Sequence, residues 1–312
     1  MKTITAFFRL IRWPNLIFIV LTQALFRYYI LPFVYQYNHS DYENIKLSQT
    51  LFILLSLASV CIAAAGYIIN DYFDVNIDQV NKSSKVIIGR YIKRRYAILF
   101  HALLSLAGLI LSLYIGYKIN NIYIPVFNFI AIVLLWFYST TFKKKLLIGN
   151  ILISLLTAWV ILVMTVAEYR FRISPHDIVW QRLLKVSFVY AGFAFIISLI
   201  REVIKDMEDI QGDLNYGCKT MPIVWGLPVS KVFAGVWIIV LTGLIAAIQI
   251  YAIQLGWWYS ALYSLFTIII PLIWILRKLY EAATPEKFHQ LSTMVKLIML
   301  TGIISMIFFK YF

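Results

Sequence analysis

Charge is what this chain is short of. Lys, Arg, Asp and Glu make up 13% of its 312 residues, against about a quarter in an ordinary soluble domain, while 62% are hydrophobic and the mean hydropathy is +0.82. That balance excludes a soluble enzyme and points to a polytopic membrane protein. Cysteine is nearly absent: Cys61 and Cys218 stand alone, which excludes a disulfide framework and a metal-finger spacing. No Gly/Ser linker or low-complexity tract divides the sequence, so residues 1–312 read as one domain. The net charge of +14 is scattered between apolar runs and is not gathered into a patch. This excludes nucleic acid and favours anionic membrane lipids and phosphorylated substrates. Nothing in the sequence calls for a protein partner.

The apolar runs come next. At about 20 residues per span, nine are expected, over 13–34, 49–69, 97–117, 122–141, 147–167, 186–205, 229–252, 257–276 and 291–310. All should be helical, since backbone groups in lipid must be satisfied within a segment and barrel-type alternation is absent. The fold expected is all-α, nine transmembrane helices around a membrane-open cavity. Lys2, Arg9 and Arg12 precede the first run without a small-x-small cleavage site, which predicts a retained span and not a signal peptide. The N-terminus, segment 79–96, Lys143 to Lys145, the loop after Asp213 and the turn with Arg277, Lys278 and Lys287 fall on one side, which the positive-inside rule makes cytoplasmic, in a cell inner membrane. The 168–185 loop is the exception, with Glu168 and Asp177 partly offsetting its Arg170, Arg172, Arg182 and Lys185.

Acids are rarer still, and they are not scattered. Of 14 carboxylates, eight lie in two stretches at the cytoplasmic ends of the second and sixth runs: 71, 74 and 78, then 202, 206, 208, 209 and 213. Positions 71, 74 and 78 fall within about 60° on a helix, and 206, 209 and 213 repeat the spacing. The 135-residue offset between the clusters suggests a weak duplication of a four-helix unit with a ninth span added. An ionised Asp at the centre of a span costs roughly 2.5–3.5 kcal/mol. These acids must therefore face a polar cavity, a cation or water.

Magnesium takes oxygen ligands and is held by one or two carboxylates plus substrate phosphates. Two facing clusters suit two such ions bridged by a diphosphate, with Lys and Arg downstream to neutralise the rest. A diphosphate leaving group in a membrane implies a lipid donor. An allylic isoprenoid diphosphate fits, because the cation left behind is delocalised and is stabilised by aromatic faces. Tyr67, Tyr72, Trp136, Tyr138 and Trp159 are candidates for that lining, each open also to a packing or interfacial reading. A transporter of divalent cations or organic anions is the alternative from another class. Transporters place such acids near the midplane on broken helices, whereas these lie at the membrane edge.

Asn70-Asp71-x-x-Asp74-x-x-x-Asp78, paired with Asp209-x-x-x-Asp213, resembles the two aspartate-rich motifs of the UbiA superfamily of intramembrane prenyltransferases. The likeness extends to Trp13-Pro14-Asn15, Lys143 after Tyr138, Gly149-Asn150 and Gly217-Cys218-Lys219-Thr220. It implies magnesium-dependent transfer of a prenyl chain from an isoprenoid diphosphate to a lipophilic acceptor. Under that resemblance Asn70, Asp71, Asp74, Asp209 and Asp213 hold Mg2+, and Asp78 and Asp206 complete the two faces. Asp71, Asp74, Asp209 and Asp213 are the catalytic set. Lys82, Lys85, Arg90, Lys143 and Lys219 bind the diphosphate, and Asn15 contacts the acceptor or lies at the interface. The stretch from Arg201 to Asp213 is most similar to the branch that alkylates geranylgeranylglyceryl phosphate; acceptors of quinone, haem or chlorophyll synthesis are the alternative. Where many members have Asn-Arg-Pro-x-Arg-Pro, this chain has Asn81-Lys82-Ser83-Ser84-Lys85-Val86, keeping charge and losing rigidity.

Overall fold

The computed structural model describes residues 3–36, 45–81, 86–169 and 177–311. A short amphipathic helix, α1 (Thr3–Leu10), buries Ala6 and Leu10 and exposes Ile4 and Phe8. Nine helices long and apolar enough to cross a membrane follow among the described residues: α2 (Trp13–Gln36), α3 (Gln49–Asn81), α4 (Arg94–Lys118), α5 (Tyr123–Thr140), α6 (Ile148–Glu168), α7 (Ile178–Glu208), α8 (Gly226–Gln254), α9 (Trp258–Glu281) and α10 (Pro285–Lys310). Those described residues form no β-strand; one isolated bridge, Ile88 to Ile92, closes the turn after α3. The protein is an integral membrane protein.

Each expected span has its helix, but two run well past their predicted ends. With 33 and 31 residues, α3 and α7 are roughly 50 and 46 Å long at 1.5 Å per residue, against a hydrocarbon core of about 30 Å. The surplus in α3 is the Asn70–Asn81 stretch, which contains no Gly or Pro to stop it. Two other helices widen into π-turns, Phe26–Ile30 in α2 and Leu265–Ile269 in α9. Each lies just before a proline, Pro32 and Pro271, whose ring would otherwise collide with a carbonyl of the preceding turn and which has no N–H to bond it.

The buried core falls into three groups. One is built by α7, α8, α9 and α10 around Ile197, Val203, Ile238, Leu272 and Val295. A second joins α2 to α6 and α7 around Phe26, Leu55, Ile161 and Met164. The third seats α1 and the Ile87–Ile92 turn against α3. Small residues let helices approach closely: a Cβ on Gly108 of α4 would meet Ile62 of α3 at 2.7 Å. Outward faces, such as Leu99, Leu103, Leu106 and Ile110 on α4, are exposed and apolar, as a lipid-facing surface requires.

At the end away from the acidic motifs, the two acids of the 168–185 loop turn out to have local structural roles. Glu168 is 2% exposed, and its carboxylate accepts from Tyr35 Oη (3.0 Å), Lys46 N (2.9 Å) and Leu47 N (3.2 Å). Asp177 caps α7, accepting from Val179 N (2.9 Å) and Trp180 N (3.1 Å).

Candidate active site

The ends of α3 and α7, the start of α2, the α5–α6 turn and the N-terminal half of α10 enclose a cavity of about 750 Å³. All eight carboxylates of the two stretches line it: Asp71, Asp74, Asp78, Glu202, Asp206, Glu208, Asp209 and Asp213. Six Lys or Arg side chains face them: Arg9, Arg12, Lys143, Arg201, Lys205 and Lys296. Eight carboxylates against six cations make the mouth acidic by formal count, which suits a divalent cation. Below this polar mouth the walls are apolar, with Ile19, Ile62, Leu156, Val160 and Met299.

The first motif is one continuous helix face, as its spacing predicts. The second is not. α7 ends at Glu208, Asp209 takes a non-helical conformation (φ −98°, ψ 7°), and a short helix, Ile210–Asn215, carries Asp213. Asp206 and Asp213 therefore sit on different helices that the break at Asp209 redirects toward the same cavity. Asn81, at the last turn of α3, ties that break down: Oδ1 accepts from Gly212 N at 2.8 Å, and Nδ2 donates to Asp209 O at 3.2 Å.

Cations already attend several of the acids. Arg12 lies in the left-handed region (φ 51°, ψ 51°) between α1 and α2, donates to Asp71 Oδ1 at 2.7 Å and covers the Tyr67 ring at 5.1 Å. The Asp71 charge raises the guanidinium pKa, so Arg12 stays charged. Lys143, on the one-turn helix Phe142–Lys144, ion-pairs with Asp74. Asp206 instead accepts from the neutral amide of Asn150 at 2.8 Å. Glu202 takes Arg201 (3.0 Å) and Lys205 (2.8 Å), and Glu208 meets His289 (3.0 Å). Burial pushes the nearby Cys218 thiol up to about 11, so it is protonated at neutral pH.

Asn15, Asn70, Asp71, Asp74, Asp78, Lys143, Asp206, Asp209 and Asp213 are thus brought together, as are Tyr67, Tyr138 and Trp159. Tyr72 packs on Phe73, and Trp136 on Phe73 and His101. Arg90 is exposed beside Tyr91, and Lys219 is exposed with its backbone N–H on Lys144 O at 2.8 Å; neither lines the cavity. Lys82 and Lys85 lie outside the described residues. Arg12, Asn81 and Lys296 were not singled out by sequence, although Lys296, a charge in the middle of an apolar run, carries the signal of an intramembrane functional residue.

Among the described residues, no three His, Cys, Asp or Glu side chains converge into a metal cage. Magnesium does not need one, since one or two carboxylates and the substrate's phosphates complete its octahedron. The donors here are hard oxygens, and Asn70 Oδ1, in the cavity wall beside Asp71, is buried without a hydrogen-bond partner. The residues present fit the ion.

The family model described as the UbiA prenyltransferase family matches residues 39–297. The digeranylgeranylglyceryl phosphate synthase of Methanothermobacter thermautotrophicus is 32% identical over 217 residues, covering 68% of this chain and 67% of that one. A solved structure of a digeranylgeranylglyceryl phosphate synthase is similar over 98% of both chains, with 26% identity and a TM-score of 0.63. That of a UbiA homologue from Archaeoglobus fulgidus bound to DMAPP and Mg2+ shares the fold, at 16% identity and a TM-score of 0.54 over 96% of this chain and 98% of that one. With its two aspartate motifs lining one cavity and most of its length matched, the chain belongs to the UbiA prenyltransferase family.

Proposed function

We propose that this prenyltransferase alkylates the free hydroxyl of geranylgeranylglyceryl phosphate with the prenyl group of an isoprenoid diphosphate, forming an ether lipid. The observation that carries the reading is the cavity's division: an acidic mouth, with eight carboxylates against six cations, above an apolar body. The first suits a metal-bound diphosphate and the second a prenyl chain. The likeness to digeranylgeranylglyceryl phosphate synthases supports the acceptor, and the Mg2+ and DMAPP bound by the A. fulgidus homologue support the ion and the donor.

In this reading Asn70, Asp71, Asp74, Asp209 and Asp213 would hold magnesium, with Asp78 and Asp206 completing the two faces. Bound there, the ion draws charge from the diphosphate and makes it a better leaving group. Arg12 and Lys143 stand beside Asp71 and Asp74, where they would neutralise the oxygens of a bound diphosphate. The bond from the prenyl C1 to the diphosphate oxygen breaks with its electron pair on the diphosphate. The acceptor oxygen bonds to C1, and its proton passes to a cavity carboxylate or to the released diphosphate. Tyr67, Tyr138 and Trp159 line the cavity, where aromatic rings would stabilise an allylic cation. The donor chain extends toward a second, apolar cavity of about 80 Å³ between α2, α6, α7 and α10, which shares Phe18, Thr157 and Met299 with the first.

The site lies at the end of the bundle that carries Arg9, Arg94, Arg95, Lys143 to Lys145, Lys231, Arg277 and Lys278, so the positive-inside bias supports a cytoplasmic opening in a cell inner membrane. The test is a magnesium-dependent transfer assay in liposomes, with geranylgeranyl diphosphate and geranylgeranylglyceryl phosphate, 4-hydroxybenzoate or dihydroxynaphthoate. Ether product from the glyceryl phosphate alone is expected. Prenylated aromatic product alone would overturn the acceptor.

A further inference from the structure

One corner of the cavity, between α2, the first turn of the second acidic stretch and α10, holds positive charge that the two aspartate motifs do not match. Lys296 lies in the middle of α10, flanked by Val295 and Leu297. Its ammonium donates to Asn15 Oδ1 at 2.6 Å and sits 5.2 Å from the Phe18 ring centroid. Both partners are neutral, and among the described residues no carboxylate pairs with it. Arg201 and Arg12 lie near enough for their charges to act on it.

The neighbouring cations are only partly matched. Arg12 has Asp71, at 2.7 Å. Arg201 and Lys205 share the single carboxylate of Glu202, at 3.0 and 2.8 Å, and Arg201 Nε is buried with no hydrogen-bond partner. Arg201 and Lys205 share one acid, and the ammonium beside them has none of its own, so the cations of this corner outnumber their carboxylate partners. A lone charge within a span is costly, and a neutral amide and a ring face offset that cost only in part. The corner is built for an anion.

A phosphomonoester carries about −1.5 to −2 at pH 7 and presents three acceptor oxygens. It matches the excess charge, the rotatable donors of an ammonium and the planar fork of a guanidinium. The donor's diphosphate has its own cations at Asp71 and Asp74, in Arg12 and Lys143. We propose that Lys296 and Arg201, with Asn15, bind the phosphate of a phosphorylated lipid acceptor at a subsite separate from the donor's diphosphate. This rests on the function proposed above and names the part of the acceptor that is recognised. A carboxylated aromatic acceptor such as 4-hydroxybenzoate brings a single negative charge and two acceptor oxygens, a poorer match than a phosphomonoester.

The experiment is a binding titration that needs no reaction. Protein in detergent, free of magnesium and donor, is titrated with geranylgeranylglyceryl phosphate and with geranylgeranylglycerol, which lacks the phosphate. The wild type should bind the phosphorylated lipid at least about tenfold more tightly, the scale of one hydrogen bond between charged groups. Lys296→Met should remove most of that preference and leave affinity for geranylgeranylglycerol unchanged, which also reports an intact fold; Lys296→Arg should keep the preference. A phosphate preference that survives Lys296→Met, or none in the wild type, overturns the subsite. Tight, Lys296-dependent binding without transfer in the turnover assay would overturn the acceptor assigned above and still support the subsite.

Discussion

Arg12 and Asp71 stand 2.7 Å apart, a cation from the turn before α2 laid on the first carboxylate of the first aspartate motif. The left-handed backbone at Arg12 costs an L-residue roughly 1–2 kcal/mol, and the ion pair and the Tyr67 ring hold it in place. Removing the side chain should raise the KM for the donor diphosphate about tenfold to a hundredfold, the effect of losing a charge-assisted contact. Arg12→Gly and Arg12→Ala share that loss, but only Gly relieves the backbone. The Gly variant should therefore be the more stable of the two by about 1 kcal/mol in thermal unfolding. A donor KM unchanged in both variants would place Arg12 outside the reaction.

Lys143 and Asp74 are a part-buried pair joining the α5–α6 turn to α3, with side chains 10% and 15% exposed. Breaking such a pair from one side leaves the other charge without a partner. Asp74→Ala should lower transfer by about 10³-fold or more, because it removes both a metal ligand and the counter-charge of Lys143. Lys143→Met should act on the donor KM. The two changes together should cost much less than the product of the separate effects, since each already breaks the same contact. Multiplicative losses would mean that the pair does not act as a unit.

The helical pattern and the family motifs were legible in sequence because each rests on local rules. Runs of about 20 apolar residues mark spans whatever packs beside them, and Asp71, Asp74 and Asp78 fall on one face through helix geometry alone. What local rules miss is where a helix stops and what crosses between helices. The break at Asp209 follows no Gly or Pro at that position; it is held by Asn81, 128 residues earlier. Arg12 and Lys296 reach the cavity by the same kind of crossing, from the turn before the first span and from the last span. Arg90 and Lys219 show the complementary limit: they are near a motif along the chain, yet they do not line the cavity.

Asn81 and Gly212 couple the motifs mechanically. A Cβ on Gly212 would lie 2.3 Å from Asn81 Oδ1, too close for the hydrogen bond to survive. Gly212→Ala should therefore displace Asn81 and let the Ile210–Asn215 helix, with Asp213, shift away from the first motif. A fall in kcat of about tenfold or more is expected, by analogy with other small misplacements of positioned groups. Asn81→Ala removes the same tie from the other side. The double variant should be no worse than the poorer single one, measured as transfer at saturating donor. Independent effects would show that the two residues act through different contacts.

Glu168 offers the contrasting case, a buried carboxylate with no part in the chemistry. At the end of α6 away from the cavity, it accepts three hydrogen bonds, from Tyr35 Oη, Lys46 N and Leu47 N, and so ties the segment leading into α3 to the end of α2. Two of those donors are backbone N–H groups, which have no cheap replacement once buried. Glu168→Ala should destabilise the protein by about 2–3 kcal/mol, the cost of leaving such donors unmet, seen as a lower melting temperature in detergent. Its kcat and donor KM, measured well below that temperature, should match the wild type. Altered kinetics in a folded Glu168→Ala variant would mean that this end of the bundle communicates with the aspartate motifs, through the length of α3 or α6.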